Sequence, residues 1–174
     1  MKIKRGVEKT KQKEYVMMSF PSVDVNDTIR NMVLAGKSLW DIVKCLLGSG
    51  VLPVEVVKGL KDCKRGVGIY TMIHLMRMYN HKEYVVVDAL LKNDYSLLEI
   101  VLNLKLQDMR IFKIVEAMQL AGCSPKEMVD ALVQNHYKSR EVVNTLESIG
   151  LYNSEIDHAF KASGHIRKEV VELL

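Results

Sequence analysis

The sequence predicts an all-α protein made of tandem helix-turn-helix repeats of about 28 residues, stacked as a short α-solenoid-like array. Three observations predict it. Glycine, acidic and apolar positions recur at a fixed spacing along the chain. The apolar positions inside each repeat follow a helical period. Only three prolines and ten glycines punctuate 174 residues, too few for a sandwich of short strands joined by tight turns. Hydrophobic residues make up 48% and charged residues 26%, which fits a packed chain and excludes a disordered one. A chain of this length buries enough surface for one domain without disulfide support.

Residues 1–25 read as a basic arm followed by an extended segment. Lys2, Lys4, Arg5, Lys9, Lys11 and Lys13 oppose only Glu8 and Glu14, so the net charge of +4 resides in this arm and the rest of the chain balances. Tyr15 to Phe20 is largely apolar and ends at Pro21. The helical-repeat domain spans 26–174. Residues 26–35 form a half-repeat cap, and the repeats follow at 36–63, 66–93, 94–121, 122–149 and 150–174, with Lys64 and Arg65 as an insertion after the first.

The clearest pair of repeats is the last. Gly122, Glu127, Met128, Ala131 and Leu132 reappear as Gly150, Glu155, Ile156, Ala159 and Phe160. In the first helix of each repeat, Ile42, Met72, Ile100, Met128 and Ile156 align, and four residues later so do Leu46, Met76, Leu104, Leu132 and Phe160. In the second helix, Val56, Val86, Ile114, Val142 and Val170 align, each followed by valine and then by Leu60, Leu90, Met118, Leu146 and Leu174. These spacings put one apolar stripe on each helix. Helices of about ten residues are too short to stand alone, so neighbours must stack to bury the stripes.

Local signals mark the boundaries. Ser38, Ser96 and Ser124 are followed three residues later by Asp41, Glu99 and Glu127, the arrangement of a capping box. Pro125 occupies a first helical position, and Pro53 and Ser139 open second helices. Gly36, Gly122 and Gly150 close the helices before them. The columns that hold Ala89, Ala117, Ala131 and Ala159 lean small and allow close approach of neighbours.

Cys45, Cys63 and Cys123 are odd in number, widely spaced and without a Cys-x-x-Cys pair, which points to a reducing, cytoplasmic setting rather than a disulfide framework or a zinc site. Lys2, Lys4 and Arg5 are followed by more charge and not by an apolar run, so no secretory leader is read, and no stretch has the length of a membrane span. His74 and His158 share a column but sit two repeats apart, too far for one metal ion. No nucleophile with its base and no phosphate loop stands out. The chain is therefore read as a non-enzyme with no cofactor or metal.

The segment around Gly150, Leu151, Ala159 and Phe160 resembles the first part of a ubiquitin-associated domain. That domain needs a third helix, for which consecutive 28-residue repeats leave no room. Residues 124–151 also have the spacing of a DNA-reading helix-turn-helix, but Glu141 and Glu147 beside Arg140 suit a phosphate-lined groove poorly.

The expected function is a macromolecular interaction scaffold whose repeat face binds a protein partner or a second copy of the chain. Trp40, Tyr70, Tyr95 and Tyr152 lie near the starts of first helices and are the candidate partner contacts. Val170, Val171, Leu173 and Leu174 are the candidate self-association residues, because nothing in the sequence caps the last apolar stripe. The alternative is a nucleic-acid-binding protein that holds the phosphate backbone, or an acidic partner, with Lys2, Lys4, Arg5, Lys9, Lys11, Lys13, Lys61, Lys64 and Arg65.

Overall fold

Each helix is short because the chain starts and stops it deliberately. In a computed structural model that describes residues 24–63 and 66–165, the described residues form ten helices and no strand. They are α1 (Val25–Leu34), α2 (Leu39–Gly48), α3 (Pro53–Asp62), α4 (Ile69–Met78), α5 (Glu83–Leu91), α6 (Leu97–Leu106), α7 (Ile111–Leu120), α8 (Pro125–Gln134), α9 (Ser139–Ser148) and α10 (Asn153–Ala162). The expected all-α repeat array is the observed fold.

The caps form where the sequence signals them. Ser96 and Ser124 accept from the amides of Glu99 and Glu127, whose carboxylates accept in return from the serine amides. Ser38 accepts from the Asp41 amide and donates its hydroxyl to the Asp41 carboxylate. At the other end, left-handed residues stand at Gly36, Gly50, Gly66, Asn80, Asp94, Asp108, Gly122, His136, Gly150 and Gly164. They are fourteen residues apart, except for the two-residue insertion before Gly66. The structural unit is thus one helix and one turn, half the repeat read from the sequence. After every helix except α3, the residue following the left-handed one bonds back to the carbonyl five residues earlier, as in His81 to Met76 and Tyr137 to Leu132. This Schellman closure reverses the chain sharply enough to lay the next helix against the last.

Counted from the N-cap, the fourth and eighth positions are buried in all nine helices from α2 to α10. The fifth position is buried as well, from Val43 through Val143, until Asp157 stands exposed there in α10. The seventh position is small where neighbours come closest. A Cβ on Gly59 of α3 would lie 2.5 Å from Ile29 Cδ1 and 3.1 Å from Val25 Cγ1 of α1. The even-numbered helices α2 to α10 stack on one another in one layer and the odd-numbered helices α1 to α9 in the other, with the core between them. In this arrangement α1 covers α3 in the second layer.

Polar side chains clip several helices to the next one in their own layer. Asn93, at the end of α5, donates its amide to the Val54 carbonyl of α3, while Lys61 of α3 donates to the Asn93 carbonyl. Forty-two residues on, Asn135 of α8 donates to the Leu98 carbonyl of α6, and Lys105 donates to the Asn135 carbonyl. Arg77 and Gln107 make a variant between α4 and α6, with Gln107 donating to the Tyr70 carbonyl.

The caps also set a pH dependence. Hydrogen bonds from the Ser96, Ser124 and Ser38 hydroxyls hold the carboxyls of Glu99, Glu127 and Asp41 below their ordinary values. A lowered folded value means stability that is present above the ordinary carboxylate pKa and is lost as pH falls through the lowered one. Melting temperature is therefore expected to drop on acidification below about pH 5. Replacing Ser96 and Ser124 with alanine should cost about 1 kcal/mol each at neutral pH and flatten that acid limb.

Candidate functional site

With the stripe at positions four, five and eight facing inward, positions two, six and ten fall on the opposite side of each helix. In the first layer this outer stripe is Trp40, Lys44 and Gly48 on α2, then Tyr70, His74 and Met78 on α4, then Leu98, Leu102 and Leu106 on α6. On α8 it becomes Lys126, Asp130 and Gln134, and on α10 Ser154, His158 and Ala162. The face is apolar over α4 and α6 and polar beyond. Tyr70, Met78, Leu98, Leu102 and Leu106 are 47%, 58%, 39%, 44% and 61% exposed, and they sit on helices that pack against each other. In the second layer, α7 exposes Phe112 and Leu120, separated by Glu116.

Two grooves flank the apolar stripes. One, of about 550 Å³, lies between the leucines of α6 and the end of α8, with Gln134, Asn135 and His136 as its far wall. The other, of about 470 Å³, lies at the end of α4 and is lined by His74, Arg77, Met78, His81, Lys82 and Glu83, with Asn80 at the turn. Arg77 is held there by the Gln107 side chain at 3.2 Å. The buried Nε2 of His81 has no hydrogen-bond partner, although its ring stacks on Tyr79 with centroids 6.1 Å apart.

The candidate aromatic residues occupy three different kinds of position. Tyr70 is on the outer stripe and belongs to the apolar face. Trp40 takes the same place on α2 but is partly buried against the core, tilted onto Tyr79 with centroids 6.3 Å apart. Tyr95 lies in the turn before α6, where its hydroxyl is 3.8 Å from Met72 Sδ and the Lys61 ammonium lies 5.0 Å from its ring centre. Burial, with the Glu99 carboxylate adding to it, pushes the Tyr95 phenol up. Tyr152 is the N-cap of α10 and stands 76% exposed, two helices away from the apolar stripes. The structure brings only Tyr70 into the patch.

Lys61 is exposed on α3, with its ammonium donating to the Asn93 carbonyl and lying 5.0 Å from the Tyr95 ring centre. Lys2, Lys4, Arg5, Lys9, Lys11, Lys13, Lys64, Arg65, Val170, Val171, Leu173 and Leu174 lie outside the described residues.

For chemistry the described residues offer little. Burial pushes the Cys123 thiol up to about 11, so it is protonated and weakly nucleophilic at neutral pH. His74 and His158 are on the same outer face with α6 and α8 between them, and among the described residues no three metal-ligating side chains come together. His165 pairs with Asp130 at 3.2 Å, which ties the end of α10 to α8. No helix among the described residues is long and apolar enough to cross a membrane.

The residues that sequence reasoning missed are Met78, Leu98, Leu102 and Leu106. For the three leucines the signal was an every-fourth-residue leucine run in the sequence Leu97 to Leu106, in addition to the core positions Ile100, Val101 and Leu104. Comparison of the chain with protein-family models, with curated proteins and with solved structures finds no match.

Proposed function

We propose that the chain is a non-enzymatic interaction scaffold that receives a protein partner on the outer face of α4 and α6. The observation that carries this reading is the contiguity of Tyr70, Met78, Leu98, Leu102 and Leu106 on two adjacent helices, in an array whose outer positions are otherwise mostly polar. Exposed apolar side chains at this density retain hydration cost in the isolated chain, and a partner that covers them recovers about 25 cal/mol per Å². Rigidity supports the reading, since the clips at Gln107 and Asn135 hold α4, α6 and α8 in one register before any partner arrives. Cys45, Cys63 and Cys123 are unpaired, which supports a reducing compartment such as the cytoplasm.

The test compares the wild-type chain with Leu102→Gln/Leu106→Gln on α6 and with Leu120→Gln on α7. Both variants keep good helix formers at exposed sites, so their melting temperatures should match wild type within a few degrees. Proteins retained on immobilised chain are quantified for all three, and each chain is sized by light scattering over a concentration series. The reading expects a set of proteins held by wild type and by Leu120→Gln and lost, by about tenfold or more, from the α6 variant. Equal retention by all three chains overturns it. A mass that falls only in the α6 variant identifies the partner as a second copy.

A further inference from the structure

We infer that the occupant of the α4/α6 face is an amphipathic helix whose polar side is acidic. The inference rests on the proposed reading of that face and adds the chemistry of what it takes. The fold first excludes other ways of holding a peptide. The described residues have no strand, so there is no sheet edge to which an extended segment could be added. Tyr70 is the single aromatic ring among the exposed side chains of the face, and the α6–α8 groove has no Phe, Tyr or Trp in its walls, so the paired aromatic slots that hold a polyproline helix are lacking. A helix fits. Leu98, Leu102 and Leu106 extend about 12 Å along α6, enough to meet two turns of a partner helix presenting residues at i, i+4 and i+7.

Charge sets the second requirement. The groove at the end of α4 holds the cations Arg77 and Lys82 and the imidazoles of His74 and His81 against the single carboxylate of Glu83. Arg77 is fixed by Gln107 of α6, so its guanidinium stands at the seam between the apolar stripes of α4 and α6. In the adjoining groove the Lys105 ammonium is already engaged by the Asn135 carbonyl and the Tyr137 ring, so the cationic margin lies at the end of α4. A helix seated on the leucines thus meets more cations than carboxylates where it passes that end. Glutamates or aspartates beside its apolar anchors would meet Arg77 and Lys82, whereas lysines there would be repelled. A membrane carrying anionic lipid shares the combination of apolar and acidic surface, but Leu98, Leu102 and Leu106 border the recess of about 550 Å³ between α6 and α8, which a helix enters and a flat bilayer does not.

The experiment uses the full chain and two fluorescently labelled designed helical peptides. The two share one leucine stripe and differ in carrying glutamate or lysine at the flanking positions. Anisotropy titrations are run at low and physiological salt, with sedimentation of phosphatidylserine vesicles as a parallel arm. The glutamate peptide is expected to bind about tenfold tighter than the lysine peptide at low salt, with the gap narrowing as salt rises. His74→Glu/Lys82→Glu, at two exposed sites, should remove that preference, and Leu102→Gln/Leu106→Gln should abolish binding of both peptides. Equal or tighter binding of the lysine peptide, still lost in the leucine variant, overturns the acidic helix while leaving the face in place. Binding of the glutamate peptide that ignores the leucine variant overturns the face as well. Failure of both peptides to bind, or vesicle binding that depends on Leu102 and Leu106, overturns the inference.

Discussion

Replacing Leu90 with alanine is expected to lower the unfolding free energy by about 3 kcal/mol, within the range of roughly 2 to 5 kcal/mol for buried leucines. Leu90 is the eighth residue of α5 and is fully buried. Its own layer places α3 and α7 on either side of α5, and the other layer adds α4 and α6, so the cavity left by truncation has walls that cannot all collapse inward. The backbone near this residue is also committed, because the Leu90 carbonyl receives the Tyr95 amide that closes the turn. In a stacked array stability is close to a sum of units and nearest-neighbour contacts, so weakening a central helix also weakens the coupling between the two ends. Urea unfolding followed by circular dichroism should show a lower midpoint, and a broader transition if the ends begin to melt separately. A midpoint shift of less than 1 kcal/mol equivalent would mean that α5 is not the shared wall described above.

The second large effect concerns a polar residue. Asn135→Asp changes almost no volume, yet it is expected to cost about 3 kcal/mol at neutral pH. Asn135 is buried, and its amide donates to two carbonyls, Leu98 at 3.1 Å and Ala131 at 2.8 Å. A carboxylate there cannot donate and places negative charge against both oxygens. The nearby Lys105 ammonium, 2.6 Å from the Asn135 carbonyl, offsets only part of this. The pH signature distinguishes the mechanism from simple loss of packing. Burial and the two carbonyls raise the pKa of the new carboxyl in the folded chain. The destabilisation is therefore full above that raised value, and it shrinks as pH falls toward the ordinary carboxylate range, where the protonated acid again donates one hydrogen bond. Urea midpoints of both chains measured from neutral to mildly acidic pH should converge. Parallel curves would show that the amide's two bonds are not what the site requires.

The sequence made much of this legible, for reasons specific to particular residues. Ser38, Ser96 and Ser124 announce helix starts because their partners three residues later are acidic, and the structure forms all three caps. The fourth and eighth positions were visible because they are apolar in every repeat. The fourteen-residue unit was hidden because Asn80, Asp94, Asp108 and His136 take the left-handed conformation that glycine takes at the other six turns. Those residue types tolerate the conformation, but they carry no punctuation in a sequence. The fifth-position stripe of the first-layer helices, from Val43 to Val129, was likewise obscured by Asp157 at the same place in α10. The clips could not be read at all, since Asn93 and Val54 are 39 residues apart and nothing local distinguishes this asparagine from a surface one.

The site was harder to read than the fold. Helix α6 is apolar on nearly every side, so its leucines at 98, 102 and 106 look like core until the layers show which side has no neighbour. Aromatic side chains drew attention for the opposite reason. Trp40 and Tyr95 are conspicuous in sequence, but both pack into the array, and Tyr70 alone combines an aromatic ring with a place on the apolar face.

The most direct test of that face is covalent. A photo-crosslinking benzophenone side chain is placed at Leu102 on α6, or at Asn144, exposed on α9 in the other layer, and the full chain is irradiated in living cells. A defined adduct from position 102 that is absent from position 144, and that is lost when Leu106→Gln is added, is the predicted result. Adducts of the same size and yield from both positions, or from position 144 alone, would contradict the assignment of α4 and α6 as the working surface.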